Sequence, residues 1–336
     1  MVEYRSLGRT GMKVSNLCVG CMTFGKKTDQ DTACKMVDYA FEQGINFYDT
    51  ANVYNRGVSE QYLGEALKRN GKRDKIVLAT KVHGRMDDDD PNMKGNGRRH
   101  IIEQCEASLK RLQTDWIDLY QIHRPQSDIP IDETLRALDD LVRQGKVRYL
   151  GTSTFAAWQC VEALWAAREL GLNRFVCEQP PYHPLDRRIE RELVPMARTY
   201  GYGLIPWSPL AAGFLTGKYR RGEDRPDDSR LKGNEWHSDL FTDAGFTVLE
   251  TMESIAEQKN CSVSQFALAW NFSQAGITSP IIGARNMEQL EDNLGALDVE
   301  VTEEDCKKID EVAKPGSAIA DSYYRADFGP HEHRVL

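Results

Sequence analysis

Nothing in this chain of 336 residues is apolar for long: no run approaches the ~18 consecutive hydrophobic residues that span a bilayer. The opening stretch MVEYRSLGRTGMKVS also lacks the apolar core of a secretory signal, so the expectation is a cytoplasmic protein with no membrane partner. Positive charge is in deficit. Lys and Arg number 43 against 51 Asp and Glu, the net charge is -8, the pI is near 5.5, and no basic run is interleaved with aromatics. Such a surface repels phosphate backbones and anionic lipid, which argues against nucleic acid as a partner. Paired metal-ligand motifs are missing too. Of the eight cysteines only Cys18 and Cys21, in NLCVGCMTFG, form a C-x-x-C, with no second pair and no His at matching spacing. They read as reduced thiols on a buried strand, and no metal site is expected. No G-x-G-x-x-G follows a strand-like run, so an ordinary dinucleotide-binding domain is not encoded.

What is present is a rhythm. After a hairpin expected over Tyr4 to Leu7 and Lys13 to Ser15, eight short apolar runs alternate with longer segments of helical period. The runs are LCVG 17-20, INFYD 45-49, IVLATK 76-81, WIDLYQIH 116-123, VRYLGTS 147-153, FVCEQ 175-179, GLIPWS 203-208 and PIIGA 280-284. Helices are expected at 30-43, 59-69, 98-112, 132-143, 157-170, 188-200, near 245-258 and 263-273, and at 286-294. Runs of that length suit strands buried on both faces, and strict alternation without a compositional break predicts an α/β fold, a (β/α)8 TIM barrel forming one domain over 1-336. Three segments interrupt the rhythm as long loops: 82-97 with its DDDD at 87-90, 209-244, and the tail 314-336. The acidic run reads as a solvated loop.

Such barrels carry their chemistry at the carboxyl ends of the strands. There the sequence places Asp49 and Tyr54, Lys81, His123, Ser153, Gln179, Trp207 with Ser208, and Gly283. Each alone is commonly structural; four ionisable groups converging from three consecutive strands are not. Lys81 ends an apolar run, so burying its stem calls for an anion beside it, and Asp49 on the neighbouring strand is the natural partner. An ammonium held beside the oxygen of Tyr54 favours the phenolate, which makes that phenol a proton donor. His123 is placed to donate a hydrogen bond to a carbonyl oxygen or to relay the proton.

These residues, with YDTANVYNRGVSEQYLGEAL, DWIDLYQIH and WSPLAAGFLTGKY, resemble the aldo-keto reductases, in particular the branch that includes bacterial reductases and potassium-channel β subunits. The resemblance runs from GCMTFG to IIGARNMEQLEDN. It implies an NADPH-dependent oxidoreductase that reduces an aldehyde, a ketone or a keto sugar, with Asp49, Tyr54, Lys81 and His123 as the catalytic tetrad. It also implies cofactor contacts. Ser153 and Gln179 match the residues that hold the nicotinamide amide, and Trp207 the aromatic that stacks on the ring. Ser208, Leu210, Gly213 and Lys218 match the pyrophosphate loop, Gly283 and Arg285 the 2'-phosphate site, and Gln289 and Asn293 the adenine site; Gly20, Met22 and Asp49 complete the set.

Two positions depart from the branch. Thr154 stands where Asn commonly follows the Ser, and EQPPYHPL replaces NQ-x-x-Y-N, so Glu178 and His183 inherit no role; His183 is expected at the surface. Two other functions fit parts of the pattern: a barrel lyase using Lys81 as a Schiff base, and a cofactor-binding regulatory subunit with weak turnover. The pattern leaves the substrate and the oligomeric state open.

Overall fold

The structure, a computed structural model, describes residues 1-320 apart from 228, 230 and 234 and the side chain of Trp236. A two-stranded antiparallel hairpin, β1 (Tyr4–Ser6) with β2 (Lys13–Ser15), precedes a parallel sheet of eight strands. These are β3 (Cys18–Gly20), β4 (Phe47–Asp49), β5 (Val77–Val82), β6 (Ile117–Ile122), β7 (Val147–Ser153), β8 (Phe175–Gln179), β9 (Gly203–Leu204) and β10 (Ile281–Ile282). They lie side by side in chain order, and β10 returns to pair with β3. The remaining seam, between β9 and β10, is bridged by Ile281 N–H to Pro206 C=O at 2.7 Å and Thr278 N–H to Leu204 C=O at 2.7 Å. The (β/α)8 architecture expected from the alternation is the one observed.

Helices cover the outside: α1 (Gln30–Glu42), α2 (Val58–Asn70), α3 (Arg98–Leu112), α4 (Ile131–Arg143), α5 (Ala157–Leu170), α6 (Leu193–Tyr200), α7 (Asp243–Gln258), α8 (Val263–Ser273), α9 (Met287–Gly295) and α10 (Glu303–Val312). Their starts follow local chemistry. The Asp29 carboxylate accepts from Thr32 N–H at 2.9 Å ahead of α1, and Ser262 with Gln265 forms a capping box ahead of α8. Two outcomes differ from expectation. The segment 188-200 splits into a 3-10 turn (Arg188–Glu190) and α6, and α10 was not anticipated. The loop 209-244 is not featureless: 3-10 turns occupy Ala211–Thr216 and Glu235–Leu240. The part of the tail beyond 320 lies outside the described residues.

The alternation of strand side chains decides what fills the barrel. Val14, Cys18, Phe47, Val77, Ala79, Leu119, Cys177, Ile205 and Ile281 form the interior cluster, closed from below by Leu7 of the hairpin. Continuing two residues at a time up the same inward face, Phe47 leads to Asp49, Ala79 to Lys81, Leu119 to Gln121 and His123, Cys177 to Gln179, and Ile205 to Trp207. The floor of the barrel is apolar and its upper end is polar, so one periodicity builds both the core and the site. All six of Cys18, Cys21, Cys34, Cys105, Cys160 and Cys177 are buried, and all eight cysteines are unpaired thiols, consistent with the core reading of C-x-x-C. In the loop 82-97, Asp88 pairs with Arg56 and Asp90 with Arg99, as a solvated acidic run would.

Candidate active site

The ammonium of Lys81 has three N–H groups and three acceptors: an Asp49 carboxylate oxygen, Thr50 C=O at 2.8 Å and the Tyr54 hydroxyl at 3.3 Å. The side chain is fully buried and that of Asp49 nearly so. The other Asp49 oxygen accepts from Gln121 Nε2 at 2.9 Å and Gln179 Nε2 at 3.1 Å, and Gln179 also donates to Gln121 Oε1 at 2.9 Å. Burial by itself lowers the pKa of Lys81, but the charge of Asp49, the nearby Tyr54 and the bonds to both outweigh it and leave the lysine raised. Lys81 is therefore a charged ammonium at neutral pH. A buried pair of this kind is tolerable because every donor and acceptor is satisfied.

Tyr54 reaches this lysine from the β4–α2 loop, where Asn55, Arg56 and Gly57 all take left-handed backbone angles. The turn is braced on every side. Asn55 Nδ2 donates to Phe24 C=O at 2.5 Å, Thr50 Oγ1 donates to Ser59 Oγ at 2.8 Å, and Ser59 donates to Cys21 C=O at 2.7 Å. Glu60, wholly buried, accepts from Thr80 Oγ1 and from Arg111 Nε, each at 2.6 Å. The GVSE of the sequence is thus a scaffold for the phenol. His123 stands edge-on to Tyr54, with ring centroids 5.7 Å apart. Burial, with Lys81, Arg124 and His83 adding positive charge, holds its imidazole well below the ordinary range, so it is neutral at pH 7.

Three residues that reading the strand ends did not single out also belong here. Gln121 is legible in retrospect as the inward position between Leu119 and His123. Arg124 donates to Thr154 Oγ1, and its guanidinium carbon lies 5.8 Å from the centre of the Trp207 ring. Burial pushes its pKa down to about 10 against the opposing influence of Tyr54 and Glu178, so it keeps its charge at pH 7. Glu178 faces outward from β8, fully buried, and accepts from Thr152 Oγ1 at 2.5 Å and Phe155 N–H at 3.1 Å. Burial raises its pKa to about 8, opposed by those donors, the Thr154 N–H and Arg124. It braces the turn that carries Thr154 in a left-handed conformation (φ 64).

The other expected positions fall into three groups. Ser153 Oγ donates to Gln179 C=O at 2.9 Å, placing both beside the tetrad, and Trp207 is half-buried at the same rim. In the loop after β9, Ser208, Ala211, Ala212 and Gly213 have φ of 57, 48, 55 and 96°, and Ser208 Oγ accepts from Ala212 N–H at 3.0 Å. A Cβ on Gly213 would sit 3.6 Å from the Lys218 ammonium, so that cation lies over bare backbone. Leu210 is partly buried within this turn. The third group is the β10–α9 loop. Arg285 N–H donates to Gln289 Oε1 at 3.0 Å, and Asn293 is buried on α9. Among the described residues no carboxylate lies within ion-pair distance of Arg285. Gly283 is exposed with open space around it. Thr23 and Thr28 donate to Ala284 C=O and Arg285 C=O at 2.7 and 2.9 Å, tying this loop to the segment after Gly20 that carries the exposed Met22. A Cβ on Gly20 would meet the Ile281 side chain at 2.7 Å, so close strand packing alone requires glycine there.

His183 corrects the expectation. It is 1% exposed, and burial together with His237 and Arg188 depresses its pKa to about 3. His237, far along the chain in the segment 209-244, is near enough to act on it, which a reading of local polarity does not foresee.

The fold and this constellation define an oxidoreductase barrel. The sequence profile of the Aldo/keto reductase family matches residues 16-314, and the chain belongs to that family. It is 38% identical over 331 residues to an uncharacterised oxidoreductase, YrpG, of Bacillus subtilis (strain 168), covering 96% of this chain and 99% of that one. It is 37% identical over 304 residues to a probable voltage-gated potassium channel subunit beta of Arabidopsis thaliana, covering 89% and 92% of the two chains. A protein of the same description from Oryza sativa subsp. japonica is 36% identical over 330 residues, covering 96% and 100%.

Proposed function

We propose that this oxidoreductase uses NADPH to reduce an aldehyde or ketone, keto sugars included, to the alcohol. The observation that carries the reading is the Lys81 ammonium bonded at once to Asp49 and to the Tyr54 hydroxyl. Tyr54 donates its proton to the substrate carbonyl oxygen. The ammonium 3.3 Å away stabilises the negative charge left on the phenol, and Asp49 keeps that ammonium charged and fixed. His123, neutral, has an N–H to offer the same carbonyl oxygen, orienting the substrate without competing as an acid. Reduced nicotinamide, when bound, supplies the hydride.

The donor set fits that cofactor. Trp207 offers a ring face, Ser153 and Gln179 polar groups for an amide, and the turn through Ser208 and the left-handed Ala211, Ala212 and Gly213, with Lys218 above it, a cationic cradle for a pyrophosphate. At the far end Arg285, next to the N-terminus of α9, faces no competing carboxylate among the described residues and suits a 2'-phosphate. The site takes a small-molecule carbonyl partner. Eight free thiols fit a reducing cytoplasm, no described helix is long and apolar enough to cross a membrane, and the net charge of -8 opposes nucleic acid.

The names of the two plant relatives raise a second reading, a cofactor-binding subunit with slow turnover; the complete set Asp49, Tyr54, Lys81 and His123 favours an active enzyme. A Schiff-base lyase is disfavoured because Lys81 is held charged by three acceptors, whereas that chemistry needs the free amine. Dissociation constants of NADPH and NADH, measured by tryptophan quenching for wild type and Arg285→Ala, test the cofactor assignment. The expected result is a roughly 10- to 100-fold weakening confined to NADPH. A wild type that prefers NADH, or equal weakening of both, contradicts it.

A further inference from the structure

The end of the barrel opposite the tetrad holds a cavity of about 420 Å³ that the reductase reading does not use. It lies where the hairpin turn meets the first residues of β7 and β8, and Arg9, Arg148 and Arg174 line it. No Asp or Glu lines it, and among the described residues none is within ion-pair distance of these three guanidiniums. In a chain with eight more acids than bases, three arginines around one hollow without a counter-charge is an uncompensated arrangement. Burial, and the like charge of Arg9, depress the pKa of Arg174 despite the neighbouring Tyr202.

The donors are held in place yet not used up. Arg174 gives Nε to Phe175 C=O at 3.1 Å and one terminal nitrogen to Tyr200 C=O at 2.8 Å, which fixes its plane. Arg148 gives one nitrogen to Gly145 C=O at 2.9 Å. Arg9 makes no side-chain hydrogen bond among the described residues; its methylenes lie over Gly201, where an added Cβ would come within 2.0 Å of them. Gly201, with φ 70, is therefore needed for this placement as well as for ending α6. Val142, Tyr149 and Val176 add apolar surface to the same lining. The volume falls in the range of small-molecule sites, ~300-1,000 Å³, and guanidinium forks suit phosphate oxygens.

We propose that this hollow binds a phosphorylated small molecule carrying at least two negative charges, its phosphates on the three arginines and its uncharged part against Tyr149. The ligand bridges the hairpin to the starts of β7 and β8, so it stabilises the folded state by mass action without entering the reductase site. Inorganic pyrophosphate is the probe, titrated calorimetrically into wild type, Arg9→Ala, Arg148→Ala and Lys218→Ala, with folding checked by circular dichroism. Lys218→Ala separates this site from the loop proposed for the cofactor pyrophosphate. The expected result is saturable binding that Lys218→Ala leaves in place and that each exposed-arginine variant weakens at least tenfold, as loss of one charge-assisted contact requires. Absence of saturable binding to wild type, arginine variants that bind like wild type, or loss of all binding in Lys218→Ala overturns it.

Discussion

Lys81 shows how a single residue sets the character of this site. Its ammonium is wholly buried, and its pKa is raised only because Asp49 and Tyr54 reverse the effect of burial. Asp49 and Lys81 thus act as one unit. Lys81→Met and Asp49→Asn should each reduce kcat strongly, and the double variant should lose little more than the worse single one; losses that multiply would show the two act separately. Lys81→Met should also cost about 3-5 kcal/mol of stability, since it leaves the Asp49 carboxylate buried without its cation, a cost that denaturant midpoints would register. The cluster was legible because Asp49, Lys81 and His123 each end an apolar run and Tyr54 follows the first of them in the turn before α2. Gln121, Arg124 and the bracing by Glu178 were not singled out, because a polar residue inside or just beyond a strand gains meaning only from the neighbour strand it meets: Asp49 for Gln121, Thr154 for Arg124 and Thr152 for Glu178.

Among elements, the β4–α2 turn matters most, since three successive left-handed residues lead from Tyr54 into α2. Gly57 has φ 95, and a Cβ there would meet the Arg111 side chain at 2.5 Å. Gly71, at the other end of the same helix, has φ 61 but open space around it. Gly57→Ala should therefore lower both stability and kcat, the latter by displacing Tyr54, while Gly71→Ala should cost ~1 kcal/mol or less with kcat unchanged. Equal effects of the two on kcat would show that the turn does not position the phenol. Each of the eight barrel strands was found where an apolar run stood, because strands buried on both faces leave an unbroken hydrophobic signal. Helix α10 left almost none: EEDCKKIDEV buries only Asp305 and Ile309, and its start is marked by a Thr302–Asp305 box rather than by periodicity. The segment 188-200 carried a helical pattern that breaks at Arg191–Glu192, where Arg187 is drawn inward to pair with Glu190 and Asp310. The pair with Asp310 is long-range, 123 residues away, and local pattern does not contain it.

At the scale of the molecule, the barrel places one apolar interior beneath a polar rim, and both depend on buried groups staying in one charge state. His100 on α3 is 1% exposed, and burial lowers its pKa from the ordinary 6.5 to about 4. Between those values the unfolded chain binds the proton that the folded one refuses, so this stability is complete above about pH 6.5 and is lost as pH falls toward 4. Glu178, raised to about 8, acts in the opposite direction, so the comparison with a variant is informative where the wild-type curve alone is not. Wild type should lose ~1-2 kcal/mol more than His100→Gln between about pH 7 and about pH 5, as read from denaturant midpoints; identical losses would show that His100 titrates normally. The central claim is that the same barrel mouth binds reduced nicotinamide and that Tyr54 supplies the proton to a carbonyl. Its most direct test is Tyr54→Phe, followed by the decay of NADPH absorbance with aldehyde, dicarbonyl and keto-sugar substrates and, in parallel, by NADPH affinity. The account predicts a wild type that turns over and a variant whose kcat falls ~10²-10⁴-fold with unchanged cofactor affinity; a variant that keeps more than about a tenth of wild-type kcat would contradict it.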